Sequence, residues 1–363
     1  MAIDLQHLAR EIQGNCDISD ARHAGVFSVC GLALRLRDLY RWEHGLEPWQ
    51  EGDPAALLAW IGAREGRWEA LADADYRPVV IAGRGFEPFD TEGINARIEP
   101  EGLLYGAGYA RGLKPTFFLA RIRRRLRAQG LTLYWLGQEL ARDLLTLPAL
   151  SQGHTILMRQ ESARMALWDT IVYAAPSARR ALSMALDACG IRDHRPAAIR
   201  QELSRLIRVQ EKLLIRHELG EIRGGGFDRP LWQQMVAAFS GSRVEILLRR
   251  VKDLLADTAP GGTLASLCRR RDLAAMALFV ALADGLAKAC LPGFFAAFER
   301  VREPHGWRDL AAAAADGHHR LASLVAEAAA VFRDGAAGED RTALQERIDR
   351  LLGRALESNS DPS

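Results

Sequence analysis

The stretch from Glu211 to Glu221 carries histidine and carboxylate side chains at a spacing that could hold a metal ion. Its residue pattern predicts an amphipathic helix that ends at the glycines of residues 224–226. On such a helix His217 and Glu221 lie one turn apart on the same face, with Glu218 next to them. Imidazole nitrogens and carboxylate oxygens are common ligands of divalent cations. The stretch therefore predicts a site at which His217, Glu218 and Glu221 could share one divalent cation.

Further acidic residues could complete this site from elsewhere in the chain. Asp284 lies within the apolar run of residues 274–286, which predicts a helix buried on every side. A carboxylate there needs a cation, an arginine or a bound proton, because an unpaired buried charge is too costly to keep. Asp253 and Asp257 form an acidic pair one helical turn apart, just before the break at Pro260. A metal ion is thus one of three possible partners for Asp284, and the acidic pair lies where a helix end could line a cleft.

The run Leu214–Glu221 resembles the core signature of the HD-type metal-dependent phosphohydrolases. In that family a His-Asp dipeptide inside a helical bundle binds the metal together with an upstream histidine and a downstream aspartate. The resemblance implies that His217 is the histidine of the dipeptide and that His194 is the upstream histidine. It also implies that Asp284 or Asp257 is the downstream aspartate.

The chain departs from the HD pattern at one position, because Glu218 stands where that family has an aspartate. The extra methylene moves the carboxylate by about one bond length. The activity that the resemblance implies is hydrolysis of a phosphate ester by water that the cation activates. Under the same resemblance Arg216, Arg249 or Arg250 would neutralise the phosphate. Glu221 would be a catalytic base or a residue that orients a ligand. Structural ion pairing is the alternative interpretation of the same residues.

A second group of reactive side chains lies near the N-terminus. Cys16, His23 and Cys30 surround the predicted start of a helix at Ser19, which is expected to run to about residue 43. A thiol near a helix N-terminus has a lowered pKa, because the helix dipole stabilises the thiolate. This arrangement predicts a thiol-dependent enzyme that uses Cys16 or Cys30 with His23, or a zinc site made of the same residues. A capped helix that contains a structural histidine is the competing interpretation.

The composition limits the class of protein. The formal net charge is only +2, with 48 basic and 46 acidic residues among 363, so the overall charge gives no reason to expect nucleic acid as a partner. The five cysteines are scattered and form no C-x-x-C motif, a pattern typical of reduced thiols in the cytoplasm. The first residues lack the apolar core of a signal peptide, and the longest apolar run, residues 274–283, is shorter than the ~20 residues that span a bilayer. We therefore expect a cytoplasmic protein that binds neither nucleic acid nor membrane.

Hydrophobic periodicity and the positions of Gly and Pro predict a mainly α protein in two parts. Residues 1–150 form an α+β domain, with helices over residues 1–72 and a small antiparallel sheet over residues 78–137. Residues 151–333 form a helical bundle. Residues 334–363 contain a linker, a terminal helix and a disordered tail.

Three local predictions bear on how these parts are built. Residues 103–109 form a strand whose glycines, Gly106 and Gly108, mark close approach of backbone or an aromatic ring. Residues 138–147 return to helix, and the chain is helical throughout from about residue 154. The segment of residues 273–290 is one continuous helix.

The chain as a whole resembles a bacterial protein family of unknown function. The segments that carry this resemblance are Cys16–Gly25, Tyr105–Tyr109, Lys114–Phe118, His217–Glu221 and Lys252–Thr258. It implies that the two halves of the chain belong together, and it transfers no activity.

Three functions are compatible with these residues. The leading hypothesis is a metal-dependent hydrolase with its site in the helical bundle, for which His217, Glu218 and Asp284 are the expected ligands. The second is a non-enzymatic scaffold that binds a small ligand or a protein partner. The third is the thiol-dependent enzyme.

Overall fold

The computed structural model describes residues 3–224, 228–335, 338 and 340–357. The chain divides into two units, the first ending at Asp169 and the second starting at Thr170. The predicted fold class is confirmed: the protein is mainly helical, with helices and sheets in its N-terminal part and helices alone in the described residues of its C-terminal part.

The N-terminal unit combines helices with two sheets. Its elements are, in order, α1 (Leu5–His23), α2 (Val29–Glu43), α3 (Pro54–Leu71), β1 (Val79–Ile81), β2 (Arg84–Phe86), α4 (Thr91–Ile98), β3 (Leu103–Tyr109), β4 (Pro115–Ala128), β5 (Leu131–Arg142), β6 (Ala149–Gln152) and β7 (Thr155–Arg159). The predicted helix start at Ser19 is wrong, because α1 continues without a break to His23. The next long helix starts after Ser28, whose hydroxyl caps it by accepting a hydrogen bond from the Gly31 N–H.

The larger sheet has the strand order β3-β4-β5-β7-β6, and its pairs are antiparallel except for the parallel pair β5–β7. The predicted helix over residues 138–147 is wrong, because β5 runs on to Arg142 and stays paired with β4 as far as Phe118. The predicted helical start at residue 154 is also wrong, since residues 155–159 form β7. The sheet therefore continues past residue 150, the predicted domain boundary.

The core of the N-terminal unit lies on both faces of this sheet. On one face α1 buries Leu8 and Ile12 with strand residues such as Phe117, while the other face buries a separate cluster around Phe118. A Cβ atom at Gly106 would lie 2.2 Å from the Phe118 ring, which confirms the close aromatic approach predicted there. No atom lies within 4 Å of the corresponding position at Gly108, so the prediction is wrong for that residue.

The C-terminal unit is a set of packed helices that begins within α5. Its helices are α5 (Gln160–Val172), α6 (Pro176–Ala188), α7 (Pro196–Arg223), α8 (Arg229–Ala238), α9 (Arg243–Thr258), α10 (Thr263–Arg270), α11 (Leu273–Leu282), α12 (Gly285–Cys290), α13 (Pro292–Glu299), α14 (Gly306–Gly335) and α15 (Arg341–Glu357). The predicted single helix over residues 273–290 is wrong. It divides into α11 and α12 because the carboxylate of Asp284 caps α12, accepting a hydrogen bond from the Ala287 N–H.

The ends of two predicted segments fall partly outside the described residues. Helix α7 ends at Gly224, which has a positive φ of 76°, but residues 225–227 are not described. The predicted linker includes residues 336, 337 and 339, and the predicted disordered tail covers residues 358–363; both sets lie outside the described part of the chain. Among the described helices, none combines the length and the apolar character needed to cross a bilayer.

Candidate functional site

The candidate metal site is built by the close packing of α7 on α9. Helix α7 buries a stripe that includes Leu206 and Leu213, which fixes the direction of its C-terminal half. At Gly220 the two helices come so close that a Cβ atom would lie 2.7 Å from the carbonyl oxygen of Ala256. Only glycine fits at this contact. His217 lies one turn before Gly220, and Glu221 directly follows it. Both residues are therefore held against α9.

Three side chains from these helices converge on one point. The ligand atoms of His217, Glu221 and Asp253 all lie within 4.8 Å of one another. The His217 Nδ1 atom lies 3.1 Å from the Asp257 Oδ1 atom, and its Nε2 atom lies 3.6 Å from the Glu221 Oε1 atom. Each ring nitrogen thus faces a different carboxylate. The side chains are partly buried, and about a quarter of His217 is exposed.

Two basic side chains already neutralise part of this cluster. The Lys252 ammonium donates a hydrogen bond to the Glu221 Oε1 atom at 2.7 Å. Arg250 lies 3.8 Å from the Asp253 carboxylate and also forms an ion pair with Asp284. The arginine and the lysine therefore stand beside the three converging groups, where they could also bind an anion.

Burial and the neighbouring charges shift the pKa values of the groups in this cluster. Burial disfavours the charged form of His217, but the charge and the hydrogen bond of Asp257 outweigh it and raise the pKa of the imidazole to about 10. Burial raises the pKa of Asp253 to about 6, with the Glu221 carboxylate adding to this effect and His217 opposing it. Burial also works against ionisation of Glu221, yet the charges of Lys252 and His217 lower the pKa of that carboxyl overall. Two carboxyl groups that share one site separate in pKa in this way.

The structure brings together some of the predicted ligands and separates the others. His217 contacts both Asp257 and Glu221, whereas the leading hypothesis named Glu218 and Asp284 as its partner ligands. The expectation that Asp284 is a buried carboxylate is wrong, because half of its side chain is exposed and it pairs with Arg250. Asp284 lies at the surface because the helix breaks between α11 and α12. The apolar composition of the segment gives no sign of this break.

His194 and Glu218 also lie outside the converging group. His194 sits before α7, where its Nε2 atom is 3.2 Å from the Asp187 carboxylate. Glu218 is buried, but one residue along a helix turns its side chain to another face, so among the described residues it is not part of the three-residue group. The ligand set that the HD resemblance implies is therefore not assembled. Of the arginines proposed for phosphate, Arg249 donates a hydrogen bond to Glu245 at 2.7 Å.

Asp253 is the site residue that the sequence prediction missed. Its spacing from Asp257 was the available signal, because two acidic residues one turn apart on α9 face the same neighbour. The sequence did not show that this neighbour is the His217 turn of α7. The register of one helix on another decides that contact.

The predicted thiol site is not assembled around an activated cysteine. Cys16 is fully buried in the middle of α1 and donates a hydrogen bond to the carbonyl oxygen of Phe117 at 3.3 Å. Burial, together with the charges of Asp143 and Asp20, raises the pKa of the Cys16 thiol well above its ordinary value. The expected lowering of the pKa is wrong for this residue, because Cys16 does not lie at a helix N-terminus.

The other members of the predicted thiol group lie on different elements. His23 ends α1, and its Nδ1 atom is 3.1 Å from the carbonyl oxygen of Ser19. Burial lowers the pKa of His23. Cys30 is exposed and lies in the first turn of α2. These residues therefore lie on two helices, since a short 3₁₀ helix, Ala24–Val26, separates α1 from α2.

A buried charge cluster joins α1 to the sheet near this thiol. The Lys114 ammonium lies 3.0 Å from the Asp20 carboxylate and 3.3 Å from that of Asp143, and all three side chains are almost fully buried. Burial raises the pKa of Asp20 to about 7, although Lys114 opposes this shift. Backbone N–H groups also donate to the carboxylates, at Leu144 to Asp20 and at Phe117 to Asp143. With its polar atoms engaged in this way, the cluster stabilises the packing of α1.

Comparison with known proteins gives a family and no activity. No curated protein and no solved structure matches the chain. The two family models that match describe domains of unknown function, and they support the resemblance to such a family while lending no support to the HD-type one. The N-terminal model covers residues 7–159 and the C-terminal model covers residues 164–351. The chain therefore belongs to the family of unknown function DUF6866 and carries both its N-terminal and its C-terminal domain.

Proposed function

We propose that the C-terminal domain binds a divalent cation through His217, Glu221 and Asp253 and uses it for hydrolysis. The observation that carries this proposal is the convergence of one imidazole and two carboxylates within 4.8 Å. Nitrogen and oxygen ligands of this kind suit Zn²⁺ and Mn²⁺. Asp284, the ligand first expected, has no part in this set.

The surroundings of the three groups support the proposal. Asp257 accepts a hydrogen bond from His217 Nδ1, which fixes the imidazole ring and directs Nε2 towards Glu221. Carboxylates commonly orient metal-binding histidines in this way. The two carboxyl groups repel each other, and a cation would relieve that repulsion. Three protein ligands at a partly exposed site leave room for a water molecule.

The chemistry of hydrolysis follows from this arrangement. A divalent cation lowers the pKa of bound water towards neutrality and stabilises negative charge on a substrate oxygen. Lys252 and Arg250 lie beside the cluster, where they could bind an anionic substrate such as a phosphate ester. Glu221 is held by Lys252 and is therefore better suited to ligation than to the role of a free base.

The competing interpretation is an ion-pair network that needs no metal. Lys252 and a protonated His217 already balance part of the negative charge, and a cation that binds His217 Nε2 must first displace a proton. The two interpretations differ in how much metal ion a chelator-treated protein binds. A structural network leaves the metal in solution, whereas a metal site takes up one equivalent.

The decisive experiment is calorimetric titration of chelator-treated protein with Mn²⁺ and with Zn²⁺ at pH 8. We expect one equivalent to bind, and we expect His217→Ala and Asp253→Asn each to abolish stoichiometric binding. Asp257→Asn, which removes the negative charge of the orienting carboxylate, is expected to weaken affinity by about 10- to 100-fold. His194→Ala is the matched control, because this histidine also contacts a carboxylate but lies outside the cluster. Binding that survives His217→Ala, or no binding by the unaltered protein, would refute the metal site.

Hydrolysis is tested separately, with p-nitrophenyl phosphate as the probe. We expect turnover only in the presence of the bound cation, and we expect its loss in Asp253→Asn. A protein that binds one equivalent of metal but leaves the ester intact at high protein concentration would contradict a phosphohydrolase activity.

A further inference from the structure

A cavity of about 510 Å³ lies in the C-terminal domain, between the end of α9, α10 and α14. It is separate from the candidate metal site, which lies where α9 faces α7. Much of its wall is apolar and flat, made by Trp307 and by a row of small side chains on α14 that includes Ala311 and Ala315. A cavity of this size accepts a small organic molecule.

The polar part of the lining is basic. Arg269, Arg271 and Arg308 line the cavity, and its lining contains no carboxylate among the described residues. Arg308 has Asp309 within 3.6 Å, but both side chains are largely exposed. Within the described ranges, Arg269 and Arg271 have no salt-bridge partner. Two guanidinium groups are thus available to an anion, and arginine binds carboxylate and phosphate through paired hydrogen bonds.

The backbone of Arg271 is strained, as it is at three other non-glycine residues of the described chain. This residue ends α10 in the left-handed conformation, with φ 51° and ψ 40°, and its N–H donates to the carbonyl oxygens of Cys268 and Leu267. Glycine is strongly favoured at this kind of helix end, because any side chain is strained there. Replacing Arg271 by glycine would therefore relieve the strain while removing the guanidinium group.

His318 adds a hydrogen-bond acceptor to the same cavity. The Thr258 hydroxyl donates to the carbonyl oxygen of Leu254 at 2.7 Å, so its oxygen accepts from His318 Nδ1 at 3.0 Å. This network assigns the proton to Nδ1 and leaves a lone pair on Nε2. Burial lowers the pKa of His318, with the neighbouring His319 adding to the effect, and this favours the neutral ring. A neutral imidazole can accept a hydrogen bond from a hydroxyl group of a ligand.

We propose that this cavity binds a small organic oxyanion, a carboxylate or a phosphate monoester joined to a flat apolar group. Arg269 and Arg271 bind the oxyanion, and the apolar group packs on Trp307 and the small residues of α14. His318 selects for a hydroxyl on the ligand. The site shares no residue with the candidate metal centre, so this proposal does not depend on the proposed hydrolase activity.

The test uses the full chain in a chelating buffer, so that a bound metal has no part in the result. Phenyl phosphate and benzoate are titrated by calorimetry, with phenol as the uncharged counterpart and inorganic phosphate as the anion without an apolar group. We expect both organic anions to bind at least tenfold more tightly than phenol and than inorganic phosphate. Equal affinity for phenyl phosphate and inorganic phosphate would overturn the proposal, because surface arginines alone would then account for binding.

Arg271→Gly separates binding from folding. Glycine relieves the left-handed strain, so we expect the variant to melt at the same or a higher temperature than the unaltered protein. Losing one charged pair of hydrogen bonds should weaken binding of the organic anions by about tenfold. Arg302→Ala, which removes an exposed arginine outside the cavity, is expected to change neither quantity. Unchanged affinity in Arg271→Gly would refute the proposed site.

Discussion

The pH dependence of stability provides the sharpest check on the geometry around His217. Replacing His217 by Gln removes a group whose pKa is about 10 in the folded protein and 6.5 ordinarily. The folded state therefore holds a proton that the unfolded chain releases between these two values. The stabilisation from this proton is complete below pH 6.5, falls as the pH rises, and is lost near pH 10.

The size of the effect follows from the difference between the two pKa values. A pKa difference of one corresponds to about 1.4 kcal/mol, so protonation of His217 contributes at most about 5 kcal/mol at low pH. At pH 7 the contribution is about 4 kcal/mol, and at pH 9 it is about 1 kcal/mol. The free energy of unfolding of the native protein, minus that of His217→Gln, should therefore fall by about 2–3 kcal/mol between pH 7 and pH 9.

Urea unfolding of both proteins in EDTA at pH 7, 8 and 9 measures this difference. Groups remote from the cluster are common to both proteins and cancel. The pKa of Asp253, about 6 in the native protein, rises when the His217 charge is removed, which offsets part of the fall. Asp257→Asn is the informative control, since it keeps the histidine but removes the carboxylate that binds Nδ1. In that background the dependence on pH should shrink. A stability difference that is the same at pH 7 and pH 9 would refute the close contact between the imidazole and its carboxylates.

Three further predictions concern other parts of the molecule. Lys114→Met should cost about 3–5 kcal/mol of unfolding free energy in urea, because it leaves the buried carboxylates of Asp20 and Asp143 without a counter-charge; a loss below 1 kcal/mol would contradict the cluster. In native protein at pH 8 a thiol reagent should modify the exposed Cys30 and leave Cys16 unmodified until the protein unfolds, as peptide mass mapping would show. Mn²⁺ affinity should rise between pH 6 and pH 8, because ligation displaces the proton of His217, and a pH-independent dissociation constant would contradict ligation through this ring.

Much of the secondary structure could be predicted because its signals are local. The strand Leu103–Tyr109 has the predicted bounds, and the long helices of the C-terminal unit begin and end close to their Pro and Gly signals. The errors in the predicted secondary structure occur where a long-range contact decides whether a segment is helix or strand. Residues 138–142 have a helical pattern but extend β5, because β4 offers a long partner for its hydrogen bonds. Residues 155–159 become a strand because β5 has a free edge beside them.

The sequence by itself determined the pairing of His217 with Glu221 and the acidic pair on α9, because both depend only on the period of a helix. It could not determine which carboxylates meet the imidazole. The tertiary structure chose Asp253 and Asp257 through the close contact at Gly220, and it carried Asp284 to the surface by breaking an apolar segment. The same packing buried Cys16 and brought the arginines near α10 to a cavity beside α14. Periodicity fixes the face of a helix on which a residue lies, whereas the register between helices, set by side-chain packing along their whole length, decides what that face meets.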